Sequence, residues 1–252
     1  MKIVISPAKS LDLESRIPTQ KFSQPIFLDE SEKLTGILKL KSPKEIGALM
    51  SISDKLSELN WQRNQDWNLP FTIENSRQAV YAFKGDVYIG LDAYSITENK
   101  LDTLNDTLRI LSGLYGILKP FDFIQPYRLE MGTKLKVHDT DNLYQFWGNK
   151  ITNSLMAEME EGEILVNLAS NEYYKALQLK NIKNPIITPQ FKDFKNGKLK
   201  IISFFAKKAR GMMVRYIIDN EINDIESLKG FDYEGYQYSD ALSSSSEFVF
   251  TR

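Results

Sequence analysis

Two short stretches, far apart in the chain, carry residue types that bind and activate small polar molecules: ISPAKS (5–10) and VNLASNE (166–172). Each lies at the end of an aliphatic run of the kind that forms a buried strand, KIVIS (2–6) and EILVNLAS (163–170). The second passes at once into NEYYKALQL (171–179), a helix pattern, so backbone N–H groups at the junction are free to meet an anion. If the two strand ends meet, Ser6, Lys9, Asn167, Ser170 and Glu172 make a polar pocket for a phosphorylated or nucleoside-like ligand. Lys9 would then hold a phosphate or act as nucleophile, Glu172 would carry a proton, and Asn167 and Ser170 would orient the substrate. Helix caps and turn serines use the same residue types, so the spacing alone leaves a structural role open. In QPYRLEMG (125–132), Tyr127, Leu129 and Met131 alternate with Arg128 and Glu130, as on a strand with one wet face. Facing a ligand, Arg128 is an anion clamp and Glu130 a general acid or base; facing each other, they form a structural pair.

Phosphate binding has two further candidates. In LSGLYGILKP (111–120), Gly113 and Gly116 bracket Leu114 and Tyr115, after Leu101, Leu104, Leu108 and Leu111 spaced as one face of a helix. The pattern resembles the hairpin of a helix-hairpin-helix DNA-binding element, where glycines let backbone amides approach a phosphate and Lys119 would add charge. Pro120 and Pro126 leave a second helix little room, and a glycine cap with a tight turn would give the same pattern. In AKKARGMMVRYII (206–218), a helix puts Lys207, Lys208, Gly211 and Arg215 on one side, Arg210 at its border, and Met212, Met213, Tyr216 and Ile217 on the other. A glycine inside a helix costs about 1 kcal/mol. It is easier to understand if a ligand or another backbone approaches there than if this is an ordinary solvated face.

Composition narrows the classes. The 252 residues include no cysteine and one histidine, His138, in a polar loop, so disulfides and the usual thiolate or histidine metal centres are excluded and no metal site is expected. There is no P-loop, Gly-x-Gly-x-x-Gly or Gly-x-Ser-x-Gly, and no cofactor is expected. No apolar run reaches spanning length and the N-terminus lacks a secretory signal, so a cytoplasmic protein without membrane contact is expected. The net charge of -1 argues against polyanion binding by the whole surface. It conceals a local excess: from Lys192 to Arg215, eight basic residues face Asp193 alone.

The elements that must position these residues are irregularly ordered. After the first strand, a polar, proline-punctuated stretch is expected to wrap the surface. Ser42-Pro-Lys-Glu45 starts a helix with a capping box, and Ile46, Leu49, Met50, Leu56 and Leu59 give it an apolar face. Residues 78–91 read as a strand, a Lys-Gly-Asp turn and a second extended piece, and Ser95 to Glu98 as another capping box. Asn196-Gly197 predicts a hairpin, with Pro189 making its first strand an edge or irregular one. YEGYQY and EFVFTR add two extended pieces around the serines at 243–246. With no regular βαβ alternation, repeat or linker, the expectation is one α+β domain over 1–252, its mixed, largely antiparallel sheet flanked by helices and containing the helix-hairpin-helix-like element.

Taken in order, ISPAKSLD, SISDKL, AFKGDVYIGL, LRILSGLYGILKPFD, QPYRLEMG, LYQFWGNKIT, VNLASNEYYK and KIISFFAKKARGMMVRYII resemble the bacterial peroxide stress protein YaaA family over essentially the whole chain. The resemblance implies a cytoplasmic protein that protects cells from hydrogen peroxide by limiting free iron. It also implies binding of duplex or branched DNA through a positively charged cleft and a helix-hairpin-helix element. The DNA reading uses residues 113–116, Lys119, Lys207, Lys208, Arg210 and Arg215 for backbone contacts. The alternative is an enzyme that cleaves or modifies a nucleotide, nucleoside or modified base in the strand-end pocket, with Lys9, Glu172 and Glu130 as catalytic groups.

Overall fold

In the computed structural model, which describes residues 1–252, the chain opens with the expected strand, β1 (Lys2–Ile5), and a short β2 (Ser10–Leu11). The stretch expected to wrap the surface ends in a helix, α1 (Leu28–Lys39), which buries Leu34 and Leu38. Helix α2 (Pro43–Met50) starts as the sequence predicts: Ser42 Oγ accepts the Glu45 N–H, and the Glu45 carboxylate accepts the Ser42 N–H. It ends earlier than its apolar spacing suggests, because Ser51 turns left-handed (φ 52°) and the chain restarts as α3 (Asp54–Asp66). Leu56 and Leu59 are therefore exposed, and α3 buries Ser57, Asn60 and Asn64 instead.

The segment expected to be two extended pieces is largely helical: β3 (Arg77–Gln78), α4 (Ala79–Ala82), β4 (Phe83–Lys84) and α5 (Asp86–Leu91). All four residues of α4 are buried, and an apolar run buried all round carries no period that separates helix from strand. Ser95 bonds back to Asp92 rather than capping the next helix. The leucine-spaced segment is split as well. Helix α6 (Leu101–Thr107) stops before Leu108, and Leu108 and Leu111 belong to β5 (Leu108–Ser112). Then follow β6 (Gly116–Leu118), β7 (Phe123–Ile124), α7 (Leu143–Trp147), α8 (Lys150–Ala157), β8 (Leu165–Leu168) and α9 (Asn171–Tyr174). The C-terminal part holds β9 (Ile186–Lys195), β10 (Lys198–Lys200), α10 (Ser203–Asp219), α11 (Ile225–Leu228), β11 (Gln237–Tyr238) and β12 (Glu247–Thr251).

The main sheet has the order β11-β12-β9-β8-β1-β5-β6, with β10 paired to β9. It is mixed and flanked by helices, an α+β arrangement as expected, but its centre is parallel rather than largely antiparallel. Strands β5, β1, β8, β9 and β12 all run the same way, and only β6, β10 and β11 oppose them. The fully buried runs LRILS and LVNL are what parallel strands covered on both faces require. Their crossovers are long and broken into short helices, which hid the parallel connection. The Asn196-Gly197 turn forms, both residues at positive φ, between Lys195 and Lys198.

Pro189 does not make β9 an edge strand. The neighbouring Thr188 N–H bonds to Ser246 on the β12 side. The Pro189 nitrogen, alternating with it, therefore faces β8, past the Val166↔Ile187 pair where that ladder ends, and no ladder bond is lost. A cluster of 59 buried hydrophobic residues runs from Ile3 to Phe250, so no boundary divides the core. No helix is long and apolar enough to cross a membrane.

Candidate functional site at the carboxyl ends of the parallel strands

Strands β1 and β8 pair in parallel with Ile5 opposite Leu168, so the chain leaves both at the same level of the sheet. Ser170 N–H donates to Ser6 Oγ at 2.9 Å, and the two hydroxyls lie 3.2 Å apart. The two stretches singled out by their chemistry therefore do meet, at the edge where open parallel sheets bind ligands. Tyr88 supports the junction from below by donating its hydroxyl to the Ser6 carbonyl at 3.1 Å. Asn167 is buried in β8, where its Oδ1 accepts the Ala169 N–H at 3.1 Å and its amide reaches Thr188 Oγ1 at 3.4 Å. It shapes the turn rather than facing a ligand.

Beyond the serines, Glu130 receives two cations: Lys9 Nζ on Oε2 at 2.8 Å and Arg128 Nη2 on Oε1 at 2.9 Å. Glu172 Oε1 accepts the Gly132 N–H at 2.8 Å. Lys9, Tyr127, Arg128, Glu130, Glu172 and Tyr173 line a small cavity of about 60 Å³. A wider groove of about 570 Å³ runs past Glu130 and Glu172 toward the end of α2. The alternation seen around Arg128 holds, with Tyr127, Leu129 and Met131 buried, but the segment pairs with no strand. Its extended backbone is held by its burial.

Buried Tyr127, Leu129 and Tyr173 line the small cavity together with its charged side chains. Burial pushes the phenols of Tyr127, Tyr173 and Tyr88 well above their ordinary range, so they remain protonated donors. Arg128 Nε is buried without a partner. Burial and then the nearby Arg128 charge lower the pKa of Arg63 on α3. Only Glu130 answers the charge of Arg128. The arrangement offers two carboxylates, a lysine, an arginine and neutral phenols around one opening, which suits acid–base work on a ligand bearing negative charge. No three His, Cys, Asp or Glu side chains are grouped as metal ligands.

The glycine hairpin is a different object from the one its pattern suggested. Gly113 to Gly116 form the turn between antiparallel β5 and β6, and Leu114 and Tyr115 are buried. The N–H groups of both donate to Ser112 Oγ, at 3.2 and 3.0 Å. A β-carbon at Gly113 would lie 2.2 Å from the Leu129 carbonyl oxygen, and one at Gly116 (φ 70°) 2.7 Å from the Trp147 ring. The glycines admit the protein's own chain. The element is a buried β-hairpin rather than a helix-hairpin-helix, and Gly113, Leu114, Tyr115 and Gly116 present no phosphate-binding surface. Lys119 follows β6 at the far end of the hairpin, half-buried, its N–H on Asp122 Oδ2 at 2.8 Å.

The basic face of α10 is likewise divided. Gly211 is there because another backbone approaches: its β-carbon would come within 1.8 Å of the Val87 carbonyl oxygen, and that of Gly90 within 2.0 Å of the Lys208 carbonyl oxygen. Lys208 pairs with Glu234. Arg215 binds Asp219 at 2.6 Å and Ser95 Oγ at 2.6 Å. Both are neutralised, Lys208 from beyond the helix and Arg215 on it, whereas Lys207 is exposed and meets no carboxylate. Arg210 is drawn toward Lys192 and Ser170 around a cavity of about 390 Å³. The sequence reading missed Arg63, Tyr88 and Tyr173 as site residues, and counted Lys192 only within the local basic excess. Of these, only Lys192 had a signal, the alternation of Thr188, Gln190 and Lys192 along β9. His138 is exposed in a turn at positive φ.

Fold and site together define an α+β protein whose polar crevice opens at the carboxyl ends of parallel strands. The chain belongs to the peroxide stress protein YaaA family, whose model matches residues 1–242. It is 60% identical over 252 residues to a UPF0246 protein of Flavobacterium johnsoniae and 57% identical to one of Flavobacterium psychrophilum, in both cases covering all of each chain. A UPF0246 protein of Hahella chejuensis is 53% identical over 254 residues, covering 100% of this chain and 99% of its own.

Proposed function

We propose that this peroxide stress protein acts through the strand-end crevice, as an enzyme that cleaves or modifies a nucleotide-like small molecule. The observation that carries this reading is the Ser6–Ser170 bond, which sets Lys9 and Glu172 at one opening, where Lys9 and Arg128 both pair with Glu130. Arg128 and Lys9 hold the negative part of the ligand, displacing part of their bond to Glu130. Glu130 and Glu172 exchange protons with it, and Tyr173, whose hydroxyl donates to no group of the chain, supplies a hydrogen bond. One histidine and no cysteine make iron storage on this chain a poor fit to common ligand sets. The lowering of free iron implied by the family resemblance is assigned to the consequences of this reaction, which is placed in the cytoplasm.

The test is incubation of the purified protein at high concentration with a panel of nucleotides, nucleosides and modified bases, followed by chromatography. Turnover of one member, lost in Glu172→Gln and Lys9→Ala variants that remain folded, supports the reading. No turnover of any member overturns it.

One observation favours a second reading, binding of duplex or branched DNA. Lys195, Lys198 and Lys200 on the β9–β10 hairpin, and Lys207 on α10, are exposed and meet no carboxylate, and Phe194 and Phe204 are exposed beside them. Such a surface would hold DNA through its backbone, with affinity falling steeply in salt.

A further inference from the structure

We infer that the cavity bounded by Ser170, Gln190, Lys192 and Arg210 receives a phosphate group, so that the molecule bound in the strand-end crevice is a phosphomonoester. This rests on the reading of that crevice as a ligand site and adds the class of its ligand. The first ground is an unanswered charge. Arg109, Arg128, Arg215 and Arg252 each meet a carboxylate, and Arg63 and Arg77, which do not, donate to oxygens of Asn60, Ser15 and Tyr94; Arg210 meets no carboxylate and donates no hydrogen bond within the chain. A guanidinium drawn out of water without a partner is costly, and an anion arriving from solution removes that cost. Burial accordingly lowers its pKa, with no charged neighbour acting against it.

The second ground is the company it keeps. Lys192, half-buried on β9 and also without an ion pair, points into the same space of about 390 Å³ with Gln190, Asn171 and the Ser170 hydroxyl. Two cations with hydroxyl and amide donors complement a phosphate dianion better than a single carboxylate. One acid is present: Glu247, exposed at the rim, whose carboxylate meets no cation.

The third ground is position. Ser170 and Asn171 line this cavity, and the next two residues, Glu172 and Tyr173, line the crevice with Lys9 and Glu130. From Ser170 to Glu172 the chain spans at most about 7 Å. That is within the length of a nucleoside monophosphate, whose phosphate would sit by Arg210 while its sugar and base reach past Glu172 toward the groove of about 570 Å³.

The experiment compares, by calorimetry and thermal shift, inorganic phosphate, the four common nucleosides and their 5′-monophosphates on the full chain. Expected are a rise in melting temperature with phosphate and, for at least one base, a monophosphate bound at least about tenfold more tightly than its nucleoside. Arg210→Met should abolish that difference and leave nucleoside affinity unchanged. Glu247→Gln should tighten phosphate binding by removing the repelling acid. If Arg210→Met fails to fold, Lys192→Met is read instead, with the same expected loss. Nucleosides bound as tightly as monophosphates, or a variant that keeps the difference, would overturn the inference and leave the crevice reading standing. Phosphate binding that depends on Arg210, with no nucleoside or nucleotide recognised, would keep the anion site and remove both the crevice ligand and its assignment as a phosphomonoester. Binding of nothing would remove both proposals.

Discussion

Gly211 and Val87 are in backbone contact: a β-carbon built on the glycine would stand 1.8 Å from the Val87 carbonyl oxygen, closer than any real atom approaches. With Gly90 set against Lys208, this makes the crossing of α5 and α10 a backbone-to-backbone junction, and the rest of α10 is placed by it. Gly211→Ala must push the helices apart, so a loss of about 2–3 kcal/mol is expected. In a chain of this size that lowers the melting temperature by roughly 4–12 °C. Gly36 on α1 has no atom within 4 Å of its would-be β-carbon, so Gly36→Ala should leave stability unchanged or raise it by up to about 1 kcal/mol. Melting curves of the two variants check the contrast, and equal effects would refute it.

The Ser6–Ser170 junction predicts an asymmetry between two chemically identical substitutions. Ser6→Ala leaves the Ser170 N–H without its acceptor, which costs about 1–3 kcal/mol. Ser170→Ala removes only a hydroxyl interaction at 3.2 Å and should cost under about 1 kcal/mol. Denaturant midpoints at constant slope measure both. Ser6→Ala is also expected to lose the larger share of turnover, because Lys9 loses its anchor three residues upstream.

What could be read from the sequence was what local chemistry decides. The Ser42–Glu45 capping box, the Asn196-Gly197 turn and the strands just before Ser6 and Ser170, ending at Ile5 and Leu168, depend on neighbours a few residues away, and each is present. The glycine patterns were seen but misassigned, since Gly113 and Gly211 answer to Leu129 and Val87, distant in sequence. The switch from helix to strand at Leu108 was invisible for a related reason: Leu104, Leu108 and Leu111 are all buried, so their period does not distinguish the two and pairing with β1 decides. Parallel order needed the same long-range information. Of the site, the strand-end residues were legible by type, whereas Arg63 became relevant only once α3 was packed beside Arg128.

Asp122 gives the fold a measurable pH dependence. It is buried, and burial raises its pKa from 3.8 to about 6, against the opposing bonds from Ser23 and the Lys119 N–H. The folded state therefore binds this proton more tightly than the unfolded chain does. Its contribution to stability is fully present below about pH 4 and is lost as pH rises through about 6, by at most about 3 kcal/mol. Urea midpoints of the parent minus those of Asp122→Asn should fall between pH 4 and 6 and then level off. A flat difference across that window would show that the carboxyl is not held protonated.

The two surfaces that suggested DNA binding now predict different things. Lys208 and Arg215 already meet Glu234 and Asp219, so replacing both by alanine should change the affinity for duplex DNA less than about twofold at fixed salt. Lys195, Lys198, Lys200 and Lys207 have no such partners. Their joint replacement by glutamate should weaken binding steeply and reduce the slope of log affinity against log salt by about 3.6, close to 0.9 for each phosphate no longer neutralised. Nucleotide turnover in the same variant should be untouched, because none of the four lines the crevice. Filter binding from low to moderate salt, run beside the turnover assay, separates the functions: DNA affinity that survives the quadruple change eliminates this hairpin as the binding surface, and turnover that disappears with it joins the two sites into one.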